Sequence, residues 1–178
     1  MFILAYQALF VKSFWYFKIL LIILLYFVGY GGIMDQNYIR TLSEEEKVVF
    51  IKLFYCLIKI DGEVDQEEIA FIKSITKEYG IDIDTSAQII KNIQAVDYKY
   101  EASKIKNRSH ALELLKELCF LANIDNTLHD KELDFIINVA HAMNIEDEKL
   151  VLINRFVLDN IILYKTGQLI LEKEDGEI

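Results

Sequence analysis

The residues of this chain whose types and spacing could do chemistry are two short acidic groups, 64 residues apart. The first group is Asp61, Asp65 and Glu68, and the second is Asp125, His129 and Glu132. Three carboxylates within eight residues offer the hard oxygen ligands that calcium or magnesium prefers. The histidine makes the second group a mixed set suited to a transition metal. A divalent cation is therefore the one cofactor that the sequence suggests, and these six residues are its candidate ligands.

The same residues also have a structural role in tight turns between helices. A twelve-residue calcium loop starting at Asp61 would need glycine at position 6 and glutamate at position 12, where this chain has Gln66 and Ile72. Asp65 and Glu68 instead form the Asp-x-x-Glu start of a helix, in which carboxylates accept from free backbone amides. His129 occupies the equivalent cap position of the second turn. We expect capping to be the main role of these residues, with a cation site as the alternative.

The two turns belong to a segment that nearly repeats itself. Residues 46–81 align with residues 110–145. Between the identities, five further positions keep an apolar side chain in register: Val48/Leu112, Ile51/Leu115, Val64/Leu128, Ile69/Leu133 and Ile75/Val139. One helix-turn-helix unit is therefore predicted to occur twice, and two such units should bury each other's apolar faces in one domain. The identical pairs are Lys52/Lys116, Leu57/Leu121, Ile60/Ile124, Asp61/Asp125, Glu68/Glu132, Phe71/Phe135, Ile72/Ile136 and Ile81/Ile145.

The first helix of each unit should lie at the centre of the core. Residues 48–60 and 112–124 are apolar on nearly all sides, and exposing such helices to water is unfavourable. We therefore expect these two helices to contact each other. The second helix of each unit is amphipathic and should cover this central pair. Ser43 and Glu46 form a capping box at the start of the first unit. Gly80 and Asn144 each precede an isoleucine, a pattern typical of a Schellman stop.

The segments outside the two units carry weaker signals. Residues 82–106 favour one helix followed by a polar bridge at 97–101 whose aromatic side chains reach the surface. Residues 149–163 favour a last helix. Beyond it, two short apolar runs flank residues 165–168, which indicates either a small hairpin or a frayed helix followed by a charged tail at 165–178. The predicted fold class is all-α, a single compact domain of about six to seven helices spanning residues 34–164.

One pattern in the chain resembles the tellurite-resistance TerB-like family, and the resemblance covers residues 40–160. The pattern is an apolar helix followed by Asp-Gly-x-Val-x-x-x-Glu at residues 61–68, with a second turn at residues 125–132. The second turn departs from the pattern because Asn126 replaces the glycine. The resemblance implies a small acidic helical domain, found alone or attached to membrane segments, in bacterial stress systems. It implies no enzymatic activity. A J-domain co-chaperone is excluded, because the chain has no proline for the His-Pro-Asp loop.

Composition narrows the possible functions further. Residues 35–178 carry all 28 acids against 17 bases, a net charge of −11, so nucleic acid is not an expected partner. The chain contains no nucleophile elbow, no P-loop and no glycine-rich dinucleotide turn, which argues against an enzyme. Cys56 and Cys119 lie inside apolar helices and are expected to be buried thiols. We therefore expect a non-enzymatic interaction or scaffold domain with protein partners in an envelope or metal stress response. A metal-responsive module is the alternative.

The first 33 residues differ in composition from the rest of the chain. They hold 10 of its 22 aromatic residues, and residues 14–33 form a stretch long enough to cross a bilayer if Lys18 reaches the interface. We expect a single-pass inner-membrane protein whose helical domain is cytoplasmic. A signal peptide is a weaker alternative, because no small-x-small cleavage site follows. A third alternative is that translation starts at Met34, which would leave the protein cytoplasmic.

Overall fold

The computed structural model describes residues 36–61, 66–123 and 128–171. Within these ranges the chain is entirely helical, as predicted, with eight α-helices and two short 3-10 turns at Lys59–Asp61 and Ile93–Ala95. The helices are α1 (Gln36–Ile39), α2 (Glu44–Ile58), α3 (Gln66–Glu78), α4 (Ile83–Asn92), α5 (Tyr98–Ala102), α6 (Arg108–Asn123), α7 (Asp130–Ala142) and α8 (Asp147–Leu171).

Helices α2 and α6 contact each other inside the core, which confirms the prediction for the central pair. On α2 the buried side chains point in all directions around the axis, and Phe50, Ile51 and Leu53 have no exposed surface. On α6 the same holds for Leu114, Leu115 and Leu118. Such burial follows from apolarity on every face, because no side of these helices can be left to water without cost.

The amphipathic helices cover this pair. α3 packs on α2, and α7 packs on α6. Helix α8 adds a further layer, because it lies against both α6 and α7 and buries Leu150, Val157 and Ile161. Asn123 at the end of α6 donates from Nδ2 to Oδ1 of Asn154 at 2.9 Å, which links α6 to α8.

The predicted helix ends at Ser43, Gly80 and Asn144 are confirmed. The Ser43 hydroxyl accepts from the backbone of Glu46 at 3.2 Å, and the Glu46 carboxylate accepts from the Ser43 backbone at 2.9 Å. Gly80 and Asn144 have positive φ values of 71° and 57°. After each of them, the next backbone N–H returns to a carbonyl five residues earlier, as in a Schellman motif.

The bridge at residues 97–101 differs from its prediction. It forms the short helix α5, capped by Asp97, and only one of its two aromatic side chains is exposed. Tyr100 is exposed as expected, but Tyr98 packs on Phe135 with ring centroids 4.7 Å apart. Glu101 is buried and pairs with Lys52 of α2 at 3.0 Å and with Lys104 at 3.1 Å. Burial alone would raise the pKa of Glu101, but the two lysines lower it below its ordinary value.

The C-terminal hairpin alternative is wrong, because α8 continues without interruption to Leu171. Glycine at position 167 destabilises the helix by only about 1 kcal/mol relative to alanine, and the chain has no proline to stop the helix. Residues 165–171, assigned by sequence to the charged tail, are therefore helical. Helix α5 and the short α1 bring the described helices to eight instead of six or seven.

The predicted membrane span at residues 14–33 lies outside the described residues. Among the residues that the structure does describe, none of the helices combines the length and the apolarity needed to cross a bilayer.

Candidate functional site

The structure describes only part of the predicted cation site. Asp65 and Asp125 lie outside the described residues, and so do the side chains of Asp61 and Glu68. The backbone of Asp61 ends the 3-10 turn after α2, and Glu68 lies in the first turns of α3. His129 and Glu132 are described in full, at the start of α7.

The Glu132 carboxylate has a capping role at the start of α7. Its Oε2 accepts a hydrogen bond from the backbone N–H of His129 at 3.1 Å, and the side chain is buried. This is one half of a capping box, with His129 at the N-cap. Within the described ranges no three His, Cys, Asp or Glu side chains are arranged to hold a metal ion.

A thermal melt separates capping from metal binding. If the acids of the turns act as caps, calcium, magnesium or zinc will not change the melting temperature beyond the effect of monovalent salt at matched ionic strength. A bound cation would instead stabilise the folded chain by about 2.7 kcal/mol at 100 times its dissociation constant. We expect equal melting temperatures for the wild type with chelator and with each cation.

Asp61→Asn is the matched variant for this measurement, because it removes the negative charge of a candidate ligand while keeping the shape of the side chain. A saturable shift that is specific to one cation and disappears in Asp61→Asn would contradict the capping role and support a metal-responsive module.

An apolar groove with a volume of about 490 Å³ lies between α7 and α8. Its walls carry mainly aliphatic side chains: Leu128, Leu133, Ile136, Ile137, Leu150, Val151, Leu158 and Ile162. Leu133, Val151 and Ile162 are exposed although they are large and apolar. Volumes of this size and apolar walls are typical of sites that bind a ligand or a partner's side chains.

Four polar residues, Asp147, Asn154, Arg155 and Asp159, also line the groove. Asp147 accepts from Nε2 of His141 at 2.6 Å, and Asn154 is held by Asn123. Helix α6 contributes Cys119. Burial raises the pKa of both thiols, Cys119 and Cys56, to about 12, so they are protonated at neutral pH and are poor nucleophiles. The walls of the groove therefore offer mainly apolar contacts.

A polar cluster of Tyr38, Glu46 and His110 lies where α1 meets the starts of α2 and α6. Nδ1 of His110 lies 2.7 Å from Oε1 of Glu46, and the ring of Tyr38 packs edge-on against His110 at 5.7 Å. Burial alone would raise the pKa of Glu46, but its bonds with His110 and Ser43 lower it. The cluster joins three helices, and it could not be predicted from the sequence because its members are far apart in the chain.

Glu117, in the middle of α6, is the least expected of the buried groups. Both of its carboxylate oxygens are buried without a hydrogen-bond partner. Lys116 Nζ lies 3.5 Å from Oε1, which is within ion-pair distance but without hydrogen-bond geometry. Lys116 also pairs with Glu113. Burial raises the pKa of Glu117 well above its ordinary value, so the folded state favours its neutral form.

Comparison with known proteins assigns the family. Residues 47–155 match the sequence profile of the family described as tellurite resistance protein TerB. No curated protein and no solved structure matches the chain significantly. The matched residues make up more than half of the chain and run from α2 into α8, so they include the central pair and most of the groove. The chain therefore belongs to the tellurite resistance protein TerB family.

Proposed function

We propose that this chain is a non-enzymatic interaction domain that binds an amphipathic helix of a partner protein in the groove between α7 and α8. The observation that carries the proposal is the groove itself, whose exposed Leu133, Val151 and Ile162 are aliphatic and stand beside a few polar groups. A helix laid in such a groove fills it with side chains spaced three, four and seven residues apart. No step of this function requires a nucleophile or an acid–base pair.

Charge gives the partner a second property. Residues 35–178 carry a net charge of −11, and two aspartates, Asp147 and Asp159, line the groove beside Arg155. A partner helix with lysine or arginine next to its apolar stripe would be steered towards this surface and held in register there. A nucleic acid would be repelled by the same field.

The cellular setting is part of the proposal. Residues 14–33 would hold the domain at the inner membrane, with its helices in the cytoplasm, and the TerB family supports a role in an envelope or metal stress response of the tellurite type. Placed at the membrane, the domain would act as a scaffold that concentrates its partner there.

Cross-linking in living cells tests this function. With a photo-reactive amino acid at Val151, which lines the groove and is exposed, we expect adducts with a partner protein. Leu133→Asp should abolish these adducts, because a charge in the opposite wall leaves an unpaired group at an apolar contact. Separating the same cells into membrane and soluble fractions reports where the adducts form.

The matched control carries the photo-reactive amino acid at Ile83, which is even more exposed but lies on α4 and is not part of the groove. Equal adducts at Val151 and Ile83, or adducts that survive Leu133→Asp, would overturn the proposal of a groove-binding partner.

A further inference from the structure

The part of the domain that carries α1 must lie close to any membrane span formed by residues 14–33. Only two residues separate that span from the first residue of α1, and the three steps of extended chain between them cover about 10 Å at most. Helix α1 is itself fastened to the domain, because Ile39 and Leu42 are buried and Tyr38 rests on His110. A span at these residues therefore brings the starts of α2 and α6 within reach of the lipid headgroups.

Two segments of the chain meet at this place, and together we call them the α1 end: residues 36–46 and residues 104–110. A polar hollow of about 410 Å³ lies between the two segments. Glu46 lines it from the first segment, and Lys106 and His110 line it from the second. The α1 end is therefore one continuous surface, although its two parts are far apart in the sequence.

The α1 end differs in charge from the rest of the domain. It carries four bases against three acids, whereas the remainder of residues 35–178 carries 13 bases against 25 acids. Two of the three acids already have partners, since Glu44 pairs with Lys47 and Glu46 is bonded to His110, both at 2.7 Å. The α1 end is therefore the part of the domain that an anionic surface repels least.

The bases of the α1 end are placed where a membrane surface could meet them. Arg40 and Lys106 are exposed. Lys104 and Arg108 each pair with one acid of the domain, and Lys104 also lies over the ring of the exposed Tyr100, 4.8 Å from its centroid. Tyrosine, lysine and arginine are residues that keep an apolar stem or ring and a polar tip at the level of the headgroups.

We infer that the α1 end of the domain docks on the headgroups of an anionic bilayer. The inference rests on the proposed membrane location of residues 14–33. Headgroup charge acts on nearby lysine and arginine over a Debye length of about 8 Å. Helix α6 has 16 residues and is about 24 Å long, so acids at its other end lie outside this range. Since the span already holds the α1 end beside the bilayer, a weak attraction is enough to dock it.

Fluorescence quenching of the full chain in lipid vesicles tests the docking. Ser109→Cys carries a label at an exposed position of the α1 end, and Lys131→Cys carries one at the start of α7, beyond the opposite end of α6. The quencher is a spin label on the lipid headgroup, which acts only at short range. In vesicles that contain phosphatidylglycerol, we expect strong quenching at position 109 and little at position 131. In vesicles of phosphatidylcholine alone, the quenching at position 109 should fall. The native thiols take up little label, because burial raises the pKa of both to about 12.

Charge reversal tests whether the bases are the cause. Arg40→Glu with Lys106→Glu should lose most of the quenching at position 109, because two attractive charges become repulsive. Lys59→Glu with Lys131→Glu is the matched control, since it changes the total charge equally but lies where α2 ends and α7 begins. This control should keep the quenching of the wild type.

Equal quenching of the two labels in phosphatidylglycerol vesicles would overturn the docking, and so would an equal loss in the two double variants. Flotation of the vesicles separates this failure from a failure of the proposed function. A chain that does not float with the vesicles would overturn the membrane location and the docking with it. A chain that floats and shows equal quenching at positions 109 and 131 would overturn the docking alone.

Discussion

Replacing Phe54 by alanine is expected to lower the free energy of unfolding by about 3 to 5 kcal/mol, and replacing Leu118 by alanine by about 2 to 5 kcal/mol. Both side chains lie in the central pair, α2 and α6, where Phe54 is 4% exposed and Leu118 is fully buried. Each truncation loses the transfer free energy of the removed atoms and leaves a cavity that the surrounding helices only partly fill. Denaturant unfolding followed by circular dichroism measures both effects.

Ile83→Ala is the control for these truncations, because Ile83 is 86% exposed and contributes almost no burial. Its unfolding free energy should stay within about 0.5 kcal/mol of the wild type. A change of that small size in Phe54→Ala or Leu118→Ala would contradict the placement of α2 and α6 at the centre of the core.

Replacing Glu117 by methionine is expected to stabilise the chain by about 1 to 3 kcal/mol at neutral pH, the usual cost of a buried polar group without a hydrogen-bond partner. Methionine keeps the length of the side chain and removes both unsatisfied oxygens. Glu113→Met is the matched control on the same helix. It should not stabilise, because the Glu113 carboxylate is partly exposed and already pairs with Lys116.

The gain from Glu117→Met should depend on pH with a definite sign. The folded pKa of Glu117 is raised, so between the unfolded pKa of about 4.3 and the folded pKa the folded chain holds one proton more than the unfolded chain. The unfolding free energy of the wild type therefore falls as the pH rises through this window, whereas that of Glu117→Met does not fall for this reason. Unfolding curves of both proteins, at pH values on both sides of the unfolded pKa, measure this difference. An advantage equally large below that pKa would show that the carboxylate is not its source.

The helical framework could be predicted from local patterns. All-round apolarity placed α2 and α6 in the core, and the chemistry of Ser43, Gly80 and Asn144 gave helix ends that the structure contains. These signals work because a cap or a buried face is decided by a few neighbouring residues. The prediction for residues 97–101 was incomplete for the opposite reason. Their helix is held by tertiary contacts, Glu101 with Lys52 and Tyr98 with Phe135, which overrule a polar local sequence.

The groove and the buried carboxylate could not be predicted in the same way. The groove needs side chains from α6, α7 and α8 together, and no short segment of sequence contains that arrangement. The one available signal was that α8 is apolar on more faces than its single layer of neighbours can cover. Glu117 looked like an ordinary polar interruption of an apolar helix, since nothing in its neighbours along the chain shows that its oxygens lack partners.

The way α1 is fastened has a mechanical consequence for anything attached before residue 36. Ile39 and Leu42 are buried, Tyr38 rests on His110, and His110 is bonded to Glu46. A tension applied to the N-terminal segment is therefore passed, through one turn of helix, to the first turns of both α2 and α6. These helices form the centre of the core, so from residue 36 onward the described chain has no slack linker that could absorb the load. A pull on α1 would therefore reach the centre of the core directly.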